Sequence, residues 1–169
     1  DGGQTFSPPV RINDDPAESN AWPGFGTMSV APNGRIDVVW NDSRATGQVN
    51  LAELYYSFSE DAGVTWSENE ALSEGRDSHI GWPVQQKIGD YYDMVSDRVG
   101  ANLAWSATFN GEQDVYFTRI GEYDCNQNGT GDTQDILSGT SLDVNSNGIP
   151  DSCEPMQVPG DCNQDRSVD

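Results

Sequence analysis

The chain has 169 residues, with 28 acidic side chains against 8 basic ones and a formal net charge of −20. A protein that grips phosphates needs a basic face, so this balance excludes nucleic acid and anionic membrane surfaces as partners. No apolar run is long enough to span a bilayer, and the sequence opens with neither an initiating Met nor a signal peptide, the pattern expected of a mature or excised piece of a longer protein.

Composition divides the chain. Residues 1–121 hold all five tryptophans and most of the Val, Ile, Leu and Phe, whereas residues 122–169 are rich in Asp, Asn, Gly and Ser. We expect a boundary near Gly121–Tyr123 and a linker around Pro155–Pro159.

The first region repeats itself. Asp1–Pro23 overlays Asp61–Pro83 without a gap, and Asp1, Gly3, Thr5, Ser7, Trp22 and Pro23 fall on Asp61, Gly63, Thr65, Ser67, Trp82 and Pro83. Further on the register slips slightly: Val39-Trp40 is echoed by Ala104-Trp105, and Leu54-Tyr55-Tyr56-Ser57 by Val115-Tyr116-Phe117-Thr118. Arg35–Trp40, Leu54–Ser59, Ala101–Trp105 and Asp114–Ile120 are short, apolar and rich in aromatic and β-branched residues, as strands are. Pro32-Asn33-Gly34 reads as a tight hairpin turn, and no stretch carries a sustained helical period. A repeat of this length built from about four short strands predicts a mainly β fold of antiparallel propeller blades.

The segment Ser59-Glu60-Asp61-Ala62-Gly63-Val64-Thr65-Trp66 is a turn with its own chemistry: the Asp61 carboxylate accepts backbone N–H groups, Gly63 takes a positive φ, and Trp66 packs beneath. Its pattern of Ser59, Asp61, Gly63, Thr65 and Trp66 resembles the Asp-box, or BNR repeat, of sialidase-like β-propellers, and Asp1–Phe6 resembles the remainder of a second copy. The resemblance implies a structural role for the box, on the face opposite an active site. Sialidases use an arginine triad, a glutamate-activated tyrosine and an acid/base aspartate drawn from many blades, and residues 1–121 cover about two. Trp40-Asn41-Asp42-Ser43-Arg44 is the strand end best placed to face a pocket; its counterpart Trp105–Phe109 lacks the acid and the arginine. Tyr91 and Tyr92 read as packing aromatics more readily than as a nucleophile, and His79, the one histidine, has no triad beside it. We assign no catalytic residue.

The tail repeats with an offset of nineteen: Asp124–Asp135 aligns with Asp143–Glu154. Oxygen-bearing side chains recur at loop positions 1, 3, 5, 9 and 12, namely Asp124, Asn126, Asn128, Asp132 and Asp135, then Asp143, Asn145, Asn147, Asp151 and Glu154. Gly129 and Gly148 hold position 6, and Thr130 and Ile149 offer a backbone carbonyl at position 7. Ca²⁺ is a hard cation that takes six to eight oxygens, and this phase predicts one ion per loop. Only Thr133–Ser138 can be helical before Gly139. Asp161, Asn163, Asp165, Ser167 and Asp169 begin a third loop in which Arg166 replaces the glycine.

The D-x-N-x-N-G core resembles dockerins and thrombospondin type 3 repeats. The pair is most similar to the cysteine-bearing doublet found at the ends of secreted planctomycete proteins, in which positions 2 and 11 are both Cys. Here loop one keeps Cys125 and loop two keeps Cys153, and the resemblance implies a bridge crossing between the loops, with Cys153–Cys162 as the competing pair. Disulfides suit a secreted, extracellular or cell-surface protein, while zinc would need a fourth ligand and closer spacing. The sequence therefore predicts BNR propeller blades over residues 1–121, a dockerin-like calcium module over 122–155, and a linker with the start of a third loop over 156–169. The expected role is binding or anchoring to a carbohydrate or an extracellular protein. The rival readings are a fragment of an exo-sialidase or other glycoside hydrolase, and a subunit of a self-assembling oligomer or filament.

Overall fold

Strand-forming residues alternate with turn residues from Gly24 onward, and the backbone follows that alternation. In the computed structural model, which describes residues 3–81, 88–89 and 92–154, the first sheet is built from β1 (Gly24–Val30), β2 (Ile36–Asp42), β3 (Leu51–Ser59), β4 (Glu70–Ala71) and β5 (Arg76–Asp77). The order is β1-β2-β3-β4, with β5 also paired to β3. A second sheet has the order β6-β7-β8, formed by β6 (Asp93–Ser96), β7 (Gly100–Ala107) and β8 (Asp114–Gly121). The one helix among the described residues, α1 (Asp132–Ser138), lies in the acidic tail. The fold is mainly β with antiparallel sheets, and the chain divides into two compact units, Asp1–Ile120 and Gly121–Asp169.

In the first unit each sheet opens with a hairpin. Pro32-Asn33-Gly34 joins β1 to β2, with Gly34 N–H donating to the Ala31 carbonyl at 2.9 Å and φ of 91° at Gly34. Asp97–Gly100 joins β6 to β7, the Asp97 N–H donating to the Gly100 carbonyl at 2.8 Å. The β2–β3 ladder runs unbroken from Ile36↔Ser59 to Asp42↔Glu53, and β1 bulges between Gly24 and Thr27. Val39, Leu54 and Tyr56 from the first sheet meet Met94, Leu103, Trp105 and Ala107 from the second in one buried core. Each fully buried aliphatic side chain there contributes about 1.5–3 kcal/mol of transfer free energy. The repeat survives as paired aromatics: Trp40 stacks on Tyr55, and Trp105 packs on Tyr116.

Polar ties fasten the two sheets. Arg35 donates to both carboxylate oxygens of buried Asp37 and to the carbonyls of Asp97, Arg98 and Gly100 in the β6–β7 turn. Tyr56 Oη donates to Asp37 at 2.7 Å, and burial together with this bond pushes the phenol well above its ordinary pKa. Asp37 is fully buried, so its charge is tolerable only because Arg35 balances it.

Candidate metal centre

Both tail loops trace one backbone path. Gln127 and Ser146, at position 4, have φ of 59° and 57°; Gly129 and Gly148, at position 6, have 88° and 83°. Two left-handed residues within three turn the chain sharply enough to bring positions 1, 3 and 5 toward one point, and a β-carbon at position 6 would strain that turn.

The bonds repeat as closely as the backbone. Asp124 accepts the N–H of Asn128 at 3.1 Å and of Gly129 at 2.7 Å; Asp143 accepts those of Asn147 at 3.1 Å and Gly148 at 2.9 Å. Asn126 Oδ1 accepts Asn128 N–H, and Asn145 Oδ1 accepts Asn147 N–H, both at 3.0 Å. Thr130 and Ile149 donate their N–H groups to Asn128 and Asn147. At position 12 the side-chain amides converge: Asn126 and Asn128 donate to Asp135 at 2.9 and 2.7 Å, and Asn145 and Asn147 donate to Glu154. Positions 1, 3, 5 and 12 of each loop are thus gathered. At position 9, Asp132 and Asp151 each accept an N–H group, from Cys125 and Val144, through one carboxylate oxygen, which closes the loop base.

Packing fixes this arrangement. Asp135 is 2% exposed and sits in the first turn of α1, which ends at Gly139 as expected. Gly131 and Pro150, both at position 8, are buried, and a β-carbon on Gly131 would collide with the Glu122 carboxylate. Cys125 and Cys153 are joined with their Cα atoms 5.9 Å apart, so position 2 of the first loop is tied to position 11 of the second. Cys125, Asp132 and Cys153 cluster closely, but joined sulfurs are not thiolates and cannot ligate zinc. The third loop and Cys162 lie outside the described residues.

The donor set fits a hard cation. Between residues 122 and 154 stand Glu122, Asp124, Asp132, Asp135, Asp143, Asp151 and Glu154, with no lysine, arginine or histidine among them. Two of these carboxylates, Asp132 and Asp135, are buried. Buried charge is ordinarily paired with a cation or a metal, and the amide hydrogens of Asn126 and Asn128 supply only partial positive charge.

The strand-end motif of the first unit is committed elsewhere. Asp42 and Ser43 are fully buried, and Asp42 accepts Trp40 Nε1 at 3.0 Å and Arg44 Nη2 at 2.8 Å. Arg44 also pairs with Asp14 and lies 4.3 Å from the Tyr55 ring centroid, so it clamps the segment before β1 and does not face an open cavity. Asn41 does line one, a cavity of about 180 Å³ bordered by Trp22, Phe25, Asn50, Arg76 and Ile88. Arg76, which no sequence pattern singled out, is 4% exposed; it donates to Asn41, Tyr92 and the carbonyls of Ala52 and Ser106, and lies 5.1 Å from the Trp105 ring centroid. Burial lowers its pKa below the ordinary guanidinium value. Tyr92 therefore serves Arg76 and Asn41, while Tyr91 lies outside the described residues.

The box turn is self-contained. Asp61 accepts the Thr65 N–H at 2.8 Å, the Thr65 hydroxyl at 2.6 Å and the Ser59 hydroxyl at 2.9 Å; the bonds from Thr65 above all lower its pKa to about 2. Gly63 has φ of 86° and lies over the Trp66 ring. Gly3, its counterpart, has φ of 80°. No family model, curated protein or solved structure matches the chain.

Proposed function

We propose that residues 122–155 form a calcium-binding module with one Ca²⁺ per loop, carried by an extracellular protein whose first 121 residues are BNR-type propeller blades used for binding or anchoring. The observation that carries this reading is the burial of Asp135 among acidic neighbours in a segment with no basic residue. Asp124, Asn126, Asn128 and Asp135 would hold the first ion, and Asp143, Asn145, Asn147 and Glu154 the second. Thr130 and Ile149 would add their carbonyls, and Asp132 and Asp151 the second carboxylate oxygen at position 9, the first closing the loop base. A bound ion supplies the positive charge these carboxylates lack, and its binding free energy adds to the folding of the module. The Cys125–Cys153 bridge supports an oxidising, extracellular setting. Support for the blades comes from the recurrent sheet pattern and from the box turn after β3. The partner we favour is a carbohydrate or an extracellular protein, since the described residues gather no catalytic set.

Equilibrium dialysis of the whole chain should find two Ca²⁺ bound, falling to one in Asp124→Ala and in Asp143→Ala and to none in the double variant. Fewer than one ion bound at millimolar calcium would sink the reading.

A further inference from the structure

The run Trp22-Pro23-Gly24-Phe25-Gly26 holds two aromatic rings against one cavity. Gly24 stands opposite Asn41 where β1 bulges, and a bulge re-aims the side chains beside it. Phe25 has φ of 53°, a left-handed conformation that strains a bulky residue and that collects at ligand sites. Trp22 lies over Gly24 so closely that a β-carbon there would stand 2.6 Å from its ring. The two rings meet edge to face, with centroids 5.5 Å apart.

The cavity they border measures about 180 Å³. Val49, Ala52 and Ile88 add apolar walls, and Asn41 and Arg76, 3% and 4% exposed, bring buried polar groups. Ala52, opposite Arg76 in the ladder between β3 and β5, is too small to fill the space. Arg35 and Arg44 each pair with a buried aspartate. Arg76 is held differently. It donates to the Ser106 and Ala52 carbonyls at 3.0 and 3.2 Å, and to Asn41 Oδ1 and Tyr92 Oη, both at 2.6 Å. These acceptors are neutral, and the bonds use four of its five N–H groups. Among the described residues no carboxylate contacts this guanidinium, and dipoles supply only part of the charge that a buried cation needs.

We propose that this cavity binds a small organic monocarboxylate, its charged end toward Arg76 and Asn41 and its hydrocarbon body between Trp22, Phe25 and Ile88. The apolar walls favour an aromatic or branched aliphatic acid over a polyhydroxylated one, whose hydroxyls would shed water without gaining partners. A dianion such as phosphate costs more to desolvate than a single guanidinium repays. The strained Phe25 keeps one wall in place before a ligand arrives. The proposal does not rest on the calcium reading, and Asp124→Ala should leave it intact.

The test titrates the whole chain, in calcium at neutral pH, with benzoate and with isovalerate by calorimetry, and follows the Trp22 indole N–H by NMR. Each acid should fill one saturable site and shift the Trp22 signal. Benzyl alcohol, the neutral analogue of benzoate, should bind about tenfold more weakly or worse. Arg76→Gln should erase that preference for the charged analogue. Because Arg76 also ties strands together, a second variant separates binding from folding. Phe25→Gly takes the left-handed conformation without strain, so its thermal transition should hold or rise while benzoate binding weakens about tenfold. Failure of both acids to bind saturably would overturn the proposal. So would benzyl alcohol binding as tightly as benzoate, or Phe25→Gly binding benzoate as the parent chain does.

Discussion

Residues 24–120 and the loops at 122–154 keep buried carboxylates by different means. Asp37 and Asp42 in the sheets each have an arginine in contact, Arg35 and Arg44. Asp132 and Asp135 in the loops have backbone and side-chain N–H groups instead. The sheets can draw on a continuous apolar core, from Val39 and Leu54 across to Leu103 and Ala107. The loops bury Pro150 and two aspartates and leave Leu137, Leu142, Val144 and Ile149 largely exposed. Apolar burial can thus be replaced by a cross-link and a dense set of short-range hydrogen bonds, provided the segment is short and its charge is balanced.

Three perturbations separate the two regions. The largest effect is expected from Leu103→Ala, which empties a fully buried site and should cost about 3–5 kcal/mol. Thermal unfolding followed by tryptophan fluorescence should fall sharply, because all five tryptophans lie before residue 121, while hydrogen exchange in the loops stays unchanged. Cys153→Ser should do the reverse. Opening a bridge between residues 28 apart in sequence forfeits about 3.5 kcal/mol of chain entropy, enough to unfold a segment with so little core. Loss of loop protection with an unmoved fluorescence transition is the expected outcome; a joint collapse would mean the units fold as one.

The smallest effect belongs to the box turn. Asp61 has its pKa lowered to about 2, so its contribution is fully present above the unfolded carboxyl value near 3.9 and is lost as the pH falls toward 2. The Thr65 amide should lose exchange protection across that window. Asp61→Ala should show the same loosening at neutral pH without disturbing calcium binding in the tail. An amide that stays protected at pH 2 would show that the Ser59 and Gly63 bonds hold the turn by themselves.

Legibility followed local pattern. β2, β3, β7 and β8 stood out because their apolar and aromatic residues cluster between turn formers, and the box and both acidic loops were readable because their spacing is their chemistry. β1 was not, since its two glycines and mostly exposed side chains give no apolar cluster and its strand geometry comes from pairing with β2. Arg76 was invisible for a related reason: a single arginine between two short strands has no period, and its role depends on Asn41 and Tyr92, distant in sequence. Arg35 and Asp37, two apart on one strand face, were the one long-range clasp with a local trace. The Trp40–Arg44 strand end reads as facing a pocket, and the structure divides it: Asn41 lines a cavity, while Asp14 opposite Arg44 makes that arginine a clamp.

The uncovered apolar residues of the loops have a thermal consequence. The heat-capacity change of unfolding scales with the apolar surface newly exposed, and Leu137, Leu142 and Val144 already meet water in the folded chain. Stability of the loops should therefore vary almost linearly with temperature, whereas that of the sheets follows a curved dome that sags on cooling. Near freezing, the sheets are the part that weakens.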